Sequence, residues 1–186
     1  DRSRIANQLA QDIIMDIDHI YGFRTNFLEV YIKDDSLDRE ERIFNSYGLY
    51  THTEQPNKTY LRSRGLDDKG SLYYAENFQF DLAPELKSRD DDDYDEQSFE
   101  TVLRIREGKE HTKLLKMLND LNDESKDFNA IFNTYFNEEN YLTWLGINIL
   151  LGNYDALSNG YLLYNPSNSS VWYFMPWEFD GIFKWM

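Results

Sequence analysis

The chain has no cysteine, which excludes a disulfide framework and a thiolate metal site and leaves the compartment open. Nowhere does an apolar run approach the roughly 20 residues needed to cross a bilayer as a helix, so no membrane span is expected. Positive charge is scarce: 19 Lys and Arg stand against 34 Asp and Glu, for a net charge of −15. Nucleic acid is a poor partner for such a chain, because phosphate backbones require clustered Lys and Arg. The histidines His19, His52 and His111 are scattered, without the spaced partners of a zinc site. There is no Gly-x-Ser-x-Gly elbow and no phosphate-cradling glycine-rich loop. Internal repeats and Gly/Ser linkers are missing as well.

What is present is enough to build a core. With 41% hydrophobic and 16% aromatic residues, the 186-residue sequence is not disordered and suits one domain. The acidity fits a cation-binding protein or a well-solvated surface. The sequence opens at Asp1 inside a helical pattern, with neither an initiator Met nor a signal peptide, and reads as a piece of something longer.

Ile5, Leu9, Ile13, Ile17 and Ile20 recur at helical spacing, predicting an amphipathic helix with Asp1 and Ser3 as capping side chains and Gly22 as its stop. Residues 27–32 read as a strand, 33–41 as a charged loop, and 44–52 as a second extended stretch in which Gly48 allows a bend. Pro56 breaks that stretch; 57–61 form a short helical turn, 62–70 a loop, and 71–80 one or two short strands. The acidic run 89–96 lacks the central Gly and terminal Glu of a calcium loop and reads as a solvated loop, with adventitious Ca²⁺ as the alternative. Leu114, Leu115, Leu118 and Leu121 mark a helix, and Phe128, Ile131 and Phe132 another. Asn137 opens a third, with Glu138 and Glu139 at its positive end. Its Tyr141, Leu142, Trp144, Leu145 and Ile149 lie nearly all round, predicting burial. A helix, strands, more helices and a terminal hairpin make an α+β domain.

The chemistry concentrates near the end of the chain. Asp155 precedes the strand-like Tyr161–Leu162–Leu163–Tyr164, Asn159 lies four residues after it, and Glu178 and Asp180 follow the next strand. A tight hairpin would bring these side chains to one end, and Glu178 and Asp180, alternating around Phe179, would share a face. Asp, Asn and Glu without Cys or His are the ligands of a hard cation, Mg²⁺, Mn²⁺ or Ca²⁺. Phosphoryl transfer uses such a set, because its loose transition state is served by positioned groups and metal charge. In protein kinases a loop Asp stands near the attacking hydroxyl, an Asn follows it, and a second metal-binding acid lies beyond a hairpin. The interval from Asp155 to Asn159 is one residue shorter than in the usual kinase loop. The bland alternatives are a turn at Asp155 and Asn159 and an edge strand with a solvated face at Glu178 and Asp180. A glycosidase pair is disfavoured, since Glu178 and Asp180 are too close in sequence to flank a sugar. Trp177, Phe179, Phe183 and Trp185 read as core.

Several blocks in order resemble the CotH family of bacterial spore-coat kinases, proteins with an atypical protein-kinase-like fold. They are Asp1–Arg2–Ser3–Arg4–Ile5–Ala6–Asn7; Tyr47–Gly48–Leu49–Tyr50 with Glu54; Asn140–Tyr141–Leu142; Gly152–Asn153–Tyr154–Asp155; Asn159–Gly160–Tyr161–Leu162–Leu163–Tyr164; and Met175–Pro176–Trp177–Glu178–Phe179–Asp180. The resemblance implies a single, partial kinase-like domain over 1–186 and ATP-dependent phosphorylation of Ser or Thr on spore-surface or secreted proteins. It implies that Asp155 orients the acceptor hydroxyl, that Asn159 and Glu178 bind the metal with Asp180 as a second acid, and that Glu54 lies near the nucleotide. Two departures stand out. Glu178 replaces the family's Asp, moving the carboxylate by about one bond length, which matters to Mg²⁺ and its near-ideal octahedron. The family's phosphate-binding lysine precedes the opening helix and is not in this sequence. Two functions therefore stay open: a phosphotransferase, or an interaction module that kept the fold and binds a partner in a spore-coat or extracellular assembly. Glycan binding through exposed Trp and Tyr is a third.

Overall fold

A computed structural model of the chain describes residues 5–36 and 42–183. In order it contains α1 (Ala6–Met15), β1 (Thr25–Lys33), β2 (Phe44–Thr53), α2 (Lys58–Ser63), β3 (Ser71–Glu76), α3 (Glu96–Val102), β4 (Leu103–Glu107), α4 (Thr112–Leu121), α5 (Phe128–Tyr135), α6 (Glu138–Leu151), a 3₁₀ turn (Tyr154–Leu157), β5 (Asn159–Asn165) and β6 (Tyr173–Pro176). The class is α+β, with two small antiparallel sheets: β1–β2, and a four-stranded sheet in the order β4-β3-β5-β6.

The four-stranded sheet is buried on both faces, which is why its central strands read as continuous apolar runs rather than alternating ones. Side chains of one parity (Tyr73, Ala75, Tyr161, Leu163, Phe174) join the larger core with α1, α4, α5 and α6. Those of the other parity (Leu72, Tyr74, Leu162, Tyr164, Met175) join a smaller core with Phe23, Tyr60 and Leu61. Phe23 stacks on Tyr60 with ring centroids 4.2 Å apart and meets Trp177 edge-on. Asn57 caps α2 by accepting from the Thr59 and Tyr60 N–H groups.

The structure differs from some of these expectations. α1 exists but buries Ala6, Ala10, Gln11 and Ile14, whereas Ile5, Leu9 and Ile13 are exposed. The small Ala6 and Ala10 let the helix approach the core closely; α1 ends at Met15, ahead of Gly22, and Ile17 and Ile20 beyond it pack on the core. The capping positions Asp1 and Ser3 lie outside the described residues, as do part of the charged loop and Trp185. The 71–80 stretch is one strand ending at Glu76. Beyond it Asn77 and Phe80 take positive φ, which a continuing strand could not include. α3 and β4 follow the acidic run, where no element was expected; Asp95 caps α3 through the Ser98 N–H at 2.9 Å. α6 opens at Asn137 as expected, its side chain accepting from the Asn140 N–H, and closes on Gly152 at φ 69°. It is not buried all round: Trp144 is buried while Leu142, Ile149 and Leu150 are exposed. The β5–β6 link is not a tight turn but residues 166–172, in which Trp172 is buried. Phe179 is core as expected, and Trp177 and Phe183 are half-buried against it.

Candidate functional site

The β5–β6 hairpin carries the candidate residues at one end. Its register pairs Tyr161 with Pro176, and beyond that pair the Glu178 N–H donates to the Gly160 carbonyl at 3.0 Å. Asn159 and Glu178 are therefore brought side by side. Gly160 makes this contact possible. At φ +76° it has no Cβ, and one placed there would stand 3.0 Å from the Glu178 Cβ and 3.2 Å from its Oε2.

The segment after Pro176 leaves the ladder, so its backbone needs other partners. Side-chain amides supply them, each offering a donor and an acceptor. Asn7 accepts from the Phe179 N–H at 2.7 Å and donates to the Asp180 carboxylate. Gln11 donates to the Pro176 carbonyl and accepts from the Phe23 N–H at 2.8 Å. Asn153 donates to the Glu178 carbonyl at 2.8 Å and to Asn148 Oδ1. Asn140 clamps Phe174 through both its N–H and its carbonyl, at 2.7 and 3.1 Å. Nothing in hydrophobic patterning identifies these amides; an Asn or Gln on an otherwise apolar helix face was the available signal.

Asp155 is exposed in the 3₁₀ turn, and its carboxylate has no partner among the described residues. Asn159 Oδ1 is buried with no hydrogen-bond partner. Glu178 Oε1 accepts the Tyr74 hydroxyl at 3.0 Å. Burial, and then the Glu178 charge, push that hydroxyl up to about 12, so it remains a donor at neutral pH. The Arg104 and Arg106 guanidiniums lie 5.7 and 5.3 Å from the Tyr74 ring centre, with Arg104 also paired to Glu76. Glu76 itself is paired with Asn159 in the β3–β5 ladder. Tyr74, Arg104 and Arg106 were missed from sequence, although Leu103–Arg104–Ile105–Arg106 alternates with the period of a strand.

Asp180 and Glu178 do not share a face: the strand ends at Pro176, and Asp180 turns to α1 while Glu178 turns to β3. Glu54 lies just past β2, one oxygen 2.6 Å from Arg64 and the other within 3.7 Å of Arg24. Burial opposes its ionisation, but the Arg64 and Arg24 hydrogen bonds and charges prevail and hold the carboxyl below its usual range.

No three His, Asp or Glu side chains among the described residues converge as a metal cage. The donor set that fits a cation is smaller: the unpartnered Asn159 amide oxygen and the free Glu178 oxygen, with Asp180 turned away towards α1. Mg²⁺ commonly uses one or two carboxylates and completes its shell with water and phosphate oxygens. The residues present fit that mode. A cavity of about 490 Å³ lies elsewhere, at the end of β3 where Ser71 pairs with Asn165, and includes none of these residues.

The model of the family described as CotH kinase protein matches residues 1–186, the whole chain. The chain belongs to the CotH family. A curated CotH relative is the inner spore coat protein H of Bacillus subtilis (strain 168), 26% identical over 139 residues. That alignment covers 72% of this chain and 37% of the relative, so the chain spans little more than a third of that protein's length. Among the described residues no helix is long and apolar enough to cross a membrane.

Proposed function

We propose that this CotH chain is the catalytic part of a spore-coat or secreted protein that transfers phosphate from ATP to Ser or Thr of a protein, on a fold of atypical protein-kinase type. The observation that carries the reading is the buried, unpartnered Asn159 Oδ1 beside a Glu178 carboxylate seated on Gly160. A buried acceptor without a donor is costly in a resting protein, and a cation is the partner that satisfies it.

In this reading the exposed Asp155 accepts a hydrogen bond from the incoming hydroxyl and orients its oxygen, taking the proton as that oxygen bonds to the γ-phosphorus and the bond from phosphorus to the bridging oxygen breaks, releasing ADP. Asn159 and Glu178 would hold the divalent ion, Mg²⁺ or Mn²⁺ with Ca²⁺ as a further candidate, while Asp180, bonded to Asn7 of α1, braces the segment that carries Glu178. When bound, that ion offsets the charge of the nucleotide phosphates. Tyr74 fixes the Glu178 carboxylate by a donated hydrogen bond, and the longer Glu is accommodated because position 160 lacks a side chain. Glu54, with both oxygens engaged by Arg64 and Arg24, anchors the end of β2 beside the nucleotide position instead of touching the nucleotide. The spore coat is the proposed location, by analogy with the relative's name, and a coat or surface protein the proposed substrate.

Calorimetry of ATP with Mg²⁺ or Mn²⁺, and transfer from γ-labelled ATP to an acceptor protein, test the assignment on the chain within its full-length protein. Nucleotide heat that requires the metal, disappears in Asn159→Ala and survives in Asp155→Asn while transfer is lost, supports the assigned roles. Absence of any metal-dependent nucleotide binding overturns the reading and leaves the chain as a binding module of a surface assembly.

A further inference from the structure

Among the described residues the β1–β2 ribbon is a sheet of two strands, an arrangement that is marginal in water without a third strand or a packed face. Phe27, Leu28, Tyr31, Ile32, Phe44 and Tyr47 are all exposed on it. Glu29 and Lys33 are its only Asp, Glu, Lys or Arg residues, so it is electrically neutral on a chain of net charge −15. A neutral, aromatic patch on a strongly acidic protein marks an interaction surface.

The two edges of the ribbon differ. On β2, Gly48 pairs with Val30 and Ser46 with Tyr31, leaving Tyr47 as an extra residue beside Gly48 at φ +94°. Such a bulge bends a strand and spoils its edge for pairing. β1 runs for nine residues with no extra residue and no proline. Its outer row of backbone groups can be identified. The Glu54 N–H donates to the Arg24 carbonyl at 2.9 Å, so even-numbered residues of β1 face β2 and odd-numbered ones face the open edge. Phe27, Glu29, Tyr31 and Lys33 belong to that outer row, and all four are exposed.

We propose that β1 is a pairing edge through which two copies of this chain join, antiparallel and centred on Tyr31, into one four-stranded sheet. In that register each Glu29 stands opposite Lys33 of the second copy, twice by symmetry. Glu29 is already held in place by the Ser46 hydroxyl at 2.7 Å, and Lys33 has no ion-pair partner among the described residues. The charge pattern is thus self-complementary in this register, which also aligns the outward backbone groups. The proposal is independent of any phosphotransferase activity.

Sedimentation velocity or light scattering over a wide concentration range tests it. The protein is expected to form a reversible dimer, and Lys33→Glu to raise its dissociation constant about tenfold or more as two opposite-charge pairs become like-charge pairs. Adding Glu29→Lys to Lys33→Glu restores the pattern and the dimer. Tyr31→Pro removes an outward N–H that β2 does not use, and abolishes the dimer with the circular dichroism of the monomer retained. A monomer at every concentration overturns the proposal and leaves the edge to a strand of a different protein. A dimer indifferent to the charge inversion and its reversal overturns it as well, since both are surface changes that do not put folding at risk.

Discussion

The two sheets are made of similarly apolar strands and have opposite fates. β5 has its last six residues buried, whereas β1 has none buried. The difference lies in what the flanking helices deliver. α4, α5 and α6 bring Leu118, Ile131 and Trp144 to one face of the four-stranded sheet, and α2 brings Tyr60 and Leu61 to the other. Among the described residues β1 receives no comparable cover. An apolar strand is therefore a demand for a partner and not a guarantee of one, and the candidate site sits where that demand is met, on a rigid hairpin.

The largest expected effect breaks the comparison directly. Trp144 packs on Phe174 with ring centroids 4.7 Å apart and on Tyr161 at 5.2 Å. Trp144→Ala should cost about 3–5 kcal/mol in a denaturant titration. Phe44→Ala, at a side chain 68% exposed, should fall within about 0.5 kcal/mol. Equal costs would mean that the ribbon is covered in solution.

Next comes a polar deletion in the buried half. Asn140→Ala leaves the Phe174 N–H and carbonyl without their partners in the core. A loss of about 2–4 kcal/mol is expected, again by denaturant midpoint, and with it a looser β6. A loss well under that range would mean that water replaces the amide and that β6 is less sealed than its neighbours.

These two residues also show what could be read in advance. The α+β class, both strands of the ribbon, the Asn137 cap and the placement of Asp155 and Asn159 around β5 follow from periodicity and capping chemistry, which are local. The choice of face on α1 does not: Ile5, Leu9 and Ile13 make the stronger stripe, yet Ala6 and Ala10 face the core because close approach decides it. Tyr74 is likewise invisible as a site residue, since its meeting with Glu178 joins positions 104 residues apart. The amide clamps at Asn7, Gln11, Asn140 and Asn153 are long-range in the same way, except for the local Asn148–Asn153 bond. Their presence explains how a segment with no ladder partners can hold two acids in separate places.

Acid should separate the two halves further. His111 is fully buried between the Tyr73 hydroxyl at 2.8 Å and the Tyr94 hydroxyl at 3.2 Å, stacked on Phe99. Burial, and then the Arg89 charge, depress it to about 4. The unfolded chain takes up a proton near pH 6.5 and the folded one does not, so stability falls as pH drops from about 6.5 towards 4. The loss should approach about 2 kcal/mol after allowance for screening. Glu54 adds to it below the ordinary carboxylate range, because its depressed value contributes stability that disappears as it is protonated. His111→Phe should flatten the upper part of the profile; an unchanged slope would place the proton uptake elsewhere.

The smallest effect is the most discriminating, because each half sets a tyrosine hydroxyl beside a glutamate. In the body the hydroxyl of Tyr74, a buried side chain, donates to Glu178 at 3.0 Å in a part-buried hydrogen bond. In the ribbon Glu29 raises the pKa of the neighbouring Tyr31 hydroxyl on an open surface. Low local dielectric and a fixed ring strengthen the first, while water competes freely for the second. A double-mutant cycle of Tyr74→Phe with Glu178→Gln should return a coupling of about 0.5–1.5 kcal/mol. The matching cycle of Tyr31→Phe with Glu29→Gln should return none that can be resolved. If the Tyr74 coupling also vanishes, Glu178 swings free of β3, and the preorganised carboxylate on which the cation reading depends is not held in solution. If it persists and Tyr74→Phe in addition weakens Mn²⁺ binding without changing the fold, the hydroxyl acts on the site through the orientation of Glu178 alone.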